Sequence, residues 1–157
     1  MAKDVAHLDG IDRRILRALQ QDAGLSHAAL GELVGASQAS CWRRIRALEE
    51  AGILRNHVRL VSPALVGRGV SVMLQVRLKS HAPGEVEAFE AFLRGRPEIM
   101  ECHSMSGDWD YLMRIVVADV SDYQRFLMEE MLRMPNVAAS TSHFALSEVK
   151  YTTALPV

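Results

Sequence analysis

The sequence lacks long hydrophobic runs and has only two cysteines in 157 residues. Its apolar stretches are too short to span a bilayer, which argues against a membrane protein. The first nine residues contain acids and no apolar segment of the kind found in signal peptides, so we expect no secretory leader. Cys41 and Cys102 lie far apart without the spacing of metal ligands, so we expect no metal site. Together these features predict a protein of the reducing cytoplasm.

Neither sign of charge dominates, since 18 basic and 19 acidic side chains leave a net charge of −1. The composition is that of an ordinary globular protein, with room for one domain or two small ones. Residues 1–60 hold nine Lys and Arg against seven Asp and Glu, whereas residues 61–157 hold nine against twelve. A slightly basic N-terminal part followed by an acidic C-terminal part fits a nucleic-acid-binding domain joined to a domain with a second function.

Three short amphipathic helices are predicted within the first 52 residues, because apolar side chains recur there at helical spacing. Asp9, Ser26 and Ser37 stand where the three helices need N-caps. Gly35 breaks the chain between the second and third helices. The basic segment at residues 53–61 can then form a short two-stranded wing. This order predicts a winged helix-turn-helix.

The third predicted helix would enter the major groove of double-stranded DNA through its N-terminal half. The residues that this interpretation assigns to DNA are Ser37, Gln38, Ala39, Ser40, Trp42, Arg43, Arg44 and Arg46. Arginine can bond guanine twice or neutralise phosphates, and glutamine suits adenine. The alternative is that the arginines only form a solvated helix face. The capped helices before them are the context that the DNA-binding motif requires, which favours the DNA interpretation.

The second half of the chain alternates predicted strands and helices, after a loose segment at residues 62–69 that we interpret as a hinge. Strands are expected at 70–78, 97–105, 111–117 and 137–149, with one helix from Pro83 and another from Val120 to Met134. This order is the ferredoxin-like βαββαβ arrangement, of RAM or ACT type. The chain is therefore predicted to be α+β, with a winged helix-turn-helix at 1–61 and a second domain at 70–157.

One face of the predicted sheet would be left without helices and would need cover. A second copy of the same sheet is the most economical cover. We therefore expect a homodimer formed through this domain.

Several separate motifs are similar, in order and spacing, to those of one protein family. They are LDGID at residues 8–12, CWRR at 41–44, LEEAGI at 48–53, ECH at 101–103, GDWDYL at 107–112 and KYTTALP at 150–156. On these motifs, which extend over nearly the whole chain, the sequence resembles the Lrp/AsnC (feast/famine) family of transcriptional regulators. The resemblance implies sequence-specific control of transcription, an amino acid as effector, and dimers that assemble into higher oligomers such as octamers.

The resemblance also implies that the second domain binds the amino acid between neighbouring dimers. The residues that correspond to the family's pocket are Gly107, Asp108, Trp109 and Asp110, with Ser140, Thr141 and Ser142 of the last strand. The chemistry is plausible, since a ligand ammonium needs a carboxylate and a ligand carboxylate needs N–H or hydroxyl donors. The alternative is that Asp108 and Asp110 only shape a hairpin turn. Alternation along the strand separates Thr141 from its two neighbours and leaves open which face meets the ligand.

Two other functions remain as alternatives. An enzyme could use Asp108 with Asp110, or Cys102 with His103, but neighbours along a strand point to opposite faces and cannot easily cooperate. The six histidines are scattered, and no phosphate-binding loop is present. We therefore expect no catalytic residues, no metal and no cofactor. The second alternative is an architectural, nucleoid-organising DNA-binding protein with little or no response to a ligand.

Overall fold

A computed structural model describes residues 7–157, and most of the segment tested for a secretory leader lies outside the described residues. The chain divides into two compact units. The first ends at Arg59 and also includes Lys150–Val157, and the second is Leu60–Val149. None of the helices in the described part combines the length and the apolar character that crossing a bilayer requires.

The first unit is built from three helices, which are α1 (Gly10–Gln21), α2 (His27–Val34) and α3 (Gln38–Glu50). Each helix begins at its predicted cap. The side chains of Asp9, Ser26 and Ser37 accept hydrogen bonds from backbone N–H groups of the first turn, which would otherwise lack partners. The predicted helix-turn-helix is therefore confirmed.

A small apolar core joins these three helices. Ile15 of α1, Leu30 of α2 and Cys41 of α3 have no exposed surface. Gly31 lies where α2 meets the turn before α3, and a Cβ atom there would come within 2.6 Å of the carbonyl oxygen of Ala36. Only glycine permits this close approach. The tight turn between α2 and α3 thus depends on the absence of a side chain.

The segment predicted to form the two-stranded wing differs in detail from that expectation. Residues 53–61 contain no strand, and all but the first two are exposed. A two-residue hairpin turn needs backbone with positive φ, most often at Gly or Asn. Every non-glycine residue of the described chain, Asn56 included, has negative φ. The segment therefore lacks the turn that would fold it back on itself.

The last eight residues belong to the first unit, whereas the prediction included them in the second domain. Gln20 of α1 binds the backbone of Leu155 at two points: Nε2 donates to its carbonyl oxygen at 3.1 Å, and Oε1 accepts from its N–H at 2.6 Å. Arg17 Nε donates to the main-chain oxygen of Val157 at 2.6 Å. The Val157 side chain packs against the helical core. The end of the sequence is therefore an ordered part of the helical unit.

The second unit contains the βαββαβ elements, which are β1 (Val70–Leu78), α4 (Pro83–Arg94), β2 (Ile99–Ser104), β3 (Tyr111–Val117), α5 (Val120–Arg125) and β4 (Val137–Phe144). The strands form one antiparallel sheet in the order β2-β3-β1-β4. This is the ferredoxin-like arrangement, so the predicted α+β fold is confirmed. A short 3-10 turn, Ala64–Val66, lies inside the predicted hinge.

One face of the sheet is buried beneath the two helices. Val72, Leu74 and Val76 of β1 have no exposed surface, whereas Met73 and Arg77 between and beside them are exposed, as strand alternation predicts. The helices contribute Phe89, Leu93, Tyr123 and Phe126 to this core. The opposite face, with Met73 near its middle, is not covered by the two helices of this unit.

The helix predicted to extend to Met134 is α-helical only as far as Arg125. It continues as a wider π-helical stretch, Phe126–Met131, in which the first and last side chains are both buried. The Leu132 N–H donates to the Leu127 carbonyl oxygen at 2.9 Å, which is the i→i+5 bond of a π-helix. In this wider turn, side chains five positions apart lie on the same face and can both enter the core. In a regular α-helix, with 3.6 residues per turn, they would not share a face.

Two strands are shorter than predicted. β4 ends at Phe144 instead of Val149, because its partner β1 begins at Val70 and has little backbone left to offer. The last contact is from the Ala145 N–H to the Ser71 carbonyl oxygen, at 2.9 Å. β2 likewise ends short of the prediction on both sides.

Candidate functional site

Helix α3 exposes one long side of its surface. Its N-terminus is fixed by Ser37, whose Oγ accepts from the Ser40 N–H at 3.2 Å. Cys41 and Leu48 bury the opposite side against the core. Gly35 has a φ of +72°, which lets the chain reverse tightly before α3. The sequence therefore presents the N-terminal half of α3 to solvent on a rigid support.

Most of the residues predicted to bind DNA lie on this exposed side. They are Gln38, Ala39, Trp42, Arg43 and Arg46, with Ser40 partly buried and Ser37 at the cap. Trp42 is 54 % exposed. The nearest acid to Arg46 is Glu50 at 3.9 Å, an exposed pair of little energetic value. Two guanidinium groups and an indole are thus available here to a partner surface.

Arg44, which was also predicted to contact DNA, lies at the edge of that exposed side and binds two acids of its own unit. Its Nη1 donates to Asp9 Oδ2 at 2.7 Å and to Asp12 Oδ1 at 2.6 Å, and its side chain is 24 % exposed. The reason is helical spacing. Arg44 follows the buried Cys41 by three positions and precedes the buried Leu48 by four, so it lies at the edge of the buried face. Its charge is used within the unit.

The turn between β2 and β3, residues 105–110, holds four of the residues predicted to bind an effector. Gly107 has a φ of +119°, a conformation that side chains disfavour. The Met105 N–H donates to the Asp110 carbonyl oxygen at 2.8 Å, and the Asp110 N–H donates to the Val76 carbonyl oxygen at 3.0 Å. The turn is therefore bonded across its own base and to β1.

The Asp110 carboxylate binds two groups of its own chain. Oδ2 accepts from the Leu78 N–H at 2.7 Å, and Oδ1 lies 2.7 Å from His81 Nε2. The Leu78 N–H first, and the His81 side chain second, lower the pKa of Asp110 below its ordinary value of 3.8. The carboxylate is thus ionised at neutral pH. Sequence reasoning missed His81, because it meets Asp110 across 29 positions and no motif links them.

Asp108 and Trp109 have smaller internal roles. Asp108 is exposed, and no side chain or N–H group in residues 7–157 bonds its carboxylate. Trp109 is partly buried, and the guanidinium carbon of Arg77 lies 5.5 Å from the centre of its ring. Asp108 is therefore the acid of the turn whose carboxylate is accessible to a ligand cation. Trp109 is next to it in the turn.

The three hydroxyl residues predicted to line the pocket lie on β4, and β1 separates them from the turn. Ser140 pairs with the buried Val76 of β1, so Ser140 faces the helices and Thr141 faces the open side. Ser142 Oγ lies 2.5 Å from the Tyr123 hydroxyl. Positions two strands apart are separated by about 10 Å. One chain alone does not bring the turn and these hydroxyls together.

A cleft of about 350 Å³ between α4 and β2 is lined by Cys102, one of the residues considered for an enzyme, together with Glu90 and Tyr111. Burial is the main cause that raises the pKa of Tyr111 to about 12. Partial desolvation beside the cleft raises the pKa of Cys102 to about 11, although this residue is exposed as a whole, so both groups stay protonated at neutral pH. The Tyr111 hydroxyl donates to Glu90 Oε1 at 3.0 Å. Cys102 and His103 point to opposite faces of the sheet. The cleft thus contains no activated nucleophile with its base.

Comparison with protein-family models gives two matches that together extend over most of the chain. Residues 8–55 match a winged helix-turn-helix DNA-binding domain. Residues 71–155 match the Lrp/AsnC ligand-binding domain. The first match contains the three helices of the first unit, and the second contains the sheet that carries the turn and six residues of the segment 150–157.

Similar proteins agree with these matches. The chain is 37 % identical over 150 residues to the DNA-binding transcriptional activator DecR of Escherichia coli K12, covering 96 % of this chain and 99 % of that one. It is 37 % identical to the leucine-responsive regulatory protein of Salmonella typhimurium, covering 96 % and 92 %. A crystal structure of a transcriptional regulator from Neisseria meningitidis in complex with L-Met is 35 % identical, with a TM-score of 0.92 and coverage of 96 % and 97 %.

The two acids of the turn should differ in their effect on stability. Asp110→Ala removes the acceptor of the Leu78 N–H, and we expect the free energy of unfolding to fall by about 1–3 kcal/mol. Asp108→Ala removes no internal bond and should change it by less than about 0.5 kcal/mol. Chemical denaturation at pH 7 measures both. Equal effects would contradict the different roles of the two side chains.

The same measurement should depend on pH in one direction. The folded pKa of Asp110 lies below its ordinary value of 3.8. The ionised carboxylate therefore contributes stability above about pH 3.8, and this contribution is lost as the pH falls through the folded value. The difference between wild type and Asp110→Ala should shrink over that range.

Proposed function

Because the chain belongs to the Lrp/AsnC family of DNA-binding transcriptional regulators, we propose that it binds specific DNA sequences in response to a small amino acid. The observation that carries the proposal is the exposed N-terminal half of α3, capped by Ser37 and held behind the tight turn at Gly35. A helix presented in this way fits the major groove. A regulator of this kind acts where the chromosome is, which agrees with the cytoplasm expected from the cysteine content.

The side chains of that surface suit DNA. Arg43 and Arg46 are exposed, and either can bond guanine or neutralise a phosphate. Gln38, one turn nearer the N-terminus, suits adenine. Trp42 adds apolar surface beside them, which can contact a thymine methyl group. This set supports readout of base edges together with contacts to the backbone.

An amino acid is the proposed effector class for the turn at residues 105–110. The Asp108 carboxylate is exposed and can accept hydrogen bonds from an ammonium group. Gly107 allows a ligand to approach the backbone closely. The Neisseria meningitidis regulator was crystallised with L-Met, which supports the same class of ligand here.

The proposed pocket lies between chains. Within one chain, β1 separates the turn from the Ser140–Ser142 segment. A pocket that used both would therefore need a second copy of the protein. Thr141 lies on the open face of the sheet and Ser140 on the helix side, so Thr141 is the better placed of the two for a neighbouring chain.

Self-association follows from the open sheet face. Met73 and Arg77 of β1 are exposed on it, and Leu112 and Arg114 of β3 are partly exposed there. We propose that this face forms a homodimer and that dimers assemble further, as in an octamer. An architectural DNA-binding protein without ligand response has less support, because residues 71–155 match a ligand-binding domain.

DNA binding should depend on the exposed arginines of α3. Arg43→Ala together with Arg46→Ala removes two positive charges, and we expect affinity for a duplex selected from a random library to fall about 10- to 100-fold. Arg94→Ala with Arg133→Ala makes the same change in charge on the second unit and should have little effect. Gel-shift titration measures both. Equal effects of the two pairs would place DNA binding elsewhere.

Effector binding should raise the melting temperature of the full chain. In a thermal-shift screen of the twenty amino acids, a ligand at 100 times its Kd adds about 2.7 kcal/mol of stability. Asp108→Ala should weaken that ligand about 10- to 100-fold, because a charge-assisted hydrogen bond is lost. Glu87→Ala, an exposed acid on α4, is the control. If no amino acid shifts the melting temperature, the ligand class is wrong while the DNA assignment stands.

The dimer should dissociate when a charge is buried in its interface. Met73→Asp places a carboxylate in the middle of the open sheet face, and we expect sedimentation to show a smaller species. Met128→Asp makes the same change at an exposed position on the helical side and should leave assembly intact. A Met73→Asp variant that sediments like wild type would exclude this face as the interface.

A further inference from the structure

We propose that Arg44 is a positioning residue for DNA recognition: by binding Asp9 and Asp12 it sets the rotation of α3 and hence which side chains face the DNA bases. The inference rests on the proposed function, because it assumes that α3 reads DNA. It differs from the prediction made from the sequence, in which Arg44 itself contacted the DNA.

The two carboxylates are well suited to serve as a fixed anchor. Asp9 Oδ1 accepts from the N–H groups of Ile11 and Asp12, both at 2.8 Å, which leaves Oδ2 for Arg44. Asp12 Oδ2 accepts from the Asp9 N–H at 3.2 Å, which leaves Oδ1 for Arg44. The capping box thus holds both acids against the first turn of α1. Arg44 therefore binds a rigid part of α1.

The anchor stays charged under ordinary conditions. The backbone N–H of Asp12 first, and the Arg44 guanidinium second, lower the pKa of Asp9 to about 2 from its ordinary 3.8. The carboxylates raise the pKa of Arg44 in turn. The ion pair consequently persists throughout the range of pH in which DNA binding is measured.

Fixing Arg44 fixes the direction of its neighbours on the helix. Successive residues of an α-helix are rotated by about 100°. Viewed down the helix axis, Arg43 therefore lies about 100° from Arg44, and Arg46 lies about 160° from it in the same direction. Trp42 lies about 160° from Arg44 in the opposite direction. These three side chains share the side of α3 opposite the anchor. A rotation of α3 would move all three relative to the bases.

The bonds of Arg44 add a restraint of defined direction to the apolar contacts of α3. Cys41 and Leu48 bury one side of the helix against the core, and the hydrophobic effect that drives this burial is not directional. The two bonds of Arg44 Nη1 have defined lengths and partners, 2.7 Å and 2.6 Å. Because both bonds use one nitrogen, a lysine ammonium could replace most of the interaction, although its chain is slightly shorter. The conservative variant is therefore informative.

The test compares full-length variants on two duplexes, one selected from a random library on the wild type and one of scrambled sequence. Arg44→Ala should lower the ratio of the two affinities about five- to tenfold, with an unchanged slope of log affinity against log salt, since no phosphate contact is lost. Arg44→Lys should keep the ratio within about threefold. Arg43→Ala, on the exposed side, should instead reduce the salt slope by about one.

Three outcomes would overturn the inference. If Arg44→Ala reduces the salt slope by about one, Arg44 contacts phosphate directly. If it lowers only the melting temperature and leaves the affinity ratio unchanged, the cluster is merely structural. If Arg44→Ala does not fold, Asp12→Asn carries the test, and a wild-type ratio for that variant overturns the inference as well. A wild-type chain that does not discriminate between the two duplexes would instead refute the proposed function itself.

Discussion

The double pairing of β1 is the constraint on which the second unit depends. β1 bonds to β3 on one side and to β4 on the other, so its register is fixed twice. A slip by one residue would place Met73 and Arg77 in the core in exchange for Val76 and its alternating neighbours. The same residue, Val76, accepts from the Asp110 N–H and lies opposite Ser140. The register that builds the core therefore also fixes both parts of the candidate effector site.

The first unit is under a different constraint. Its three short helices must hold α3 in a fixed orientation so that it can contact DNA. Isolated helices of this length are marginal in water, so their order comes from packing and caps. Cys41 is fully buried, Gly31 allows the turn to approach α2, and Ser37 caps α3. The docking of Gln20 on the backbone of Leu155 adds a further tie to α1. The exposed half of α3 is rigid because its other half has so many contacts.

Much of this arrangement follows from local pattern. Asp9, Ser26 and Ser37 were identified as caps because their oxygen atoms satisfy N–H groups that every helix leaves unpaired. Strand alternation along β1 accounts for the burial of Val72 and Leu74. These signals are periodic or lie within one turn, so a sequence displays them directly. The strand order follows as well, once the elements are known.

The rest depends on partners that are distant in the chain. Asp110 meets His81 across 29 positions, Arg44 meets Asp12 across 32, and the last residues meet α1 across more than 130. No spacing rule connects such pairs. Residues 53–61 contain no strand for a related reason, since Asn56 does not adopt the positive φ of a tight hairpin turn. The π-helical stretch was missed because only the packed core shows that a five-residue spacing is needed.

One division runs through both candidate sites. At each site, residues of the same type separate into those bound within the chain and those left open in the described structure: Arg44 beside Arg43, and Asp110 beside Asp108. The bound member can fix geometry, because its partners are rigid backbone or a helix cap. The open member can meet a partner without first breaking an internal bond, which would cost about 1–3 kcal/mol. The run Arg43-Arg44 therefore contains two residues with different roles, although residue type alone would assign both the same role. The rotation of about 100° between neighbouring residues of a helix turns their side chains in different directions.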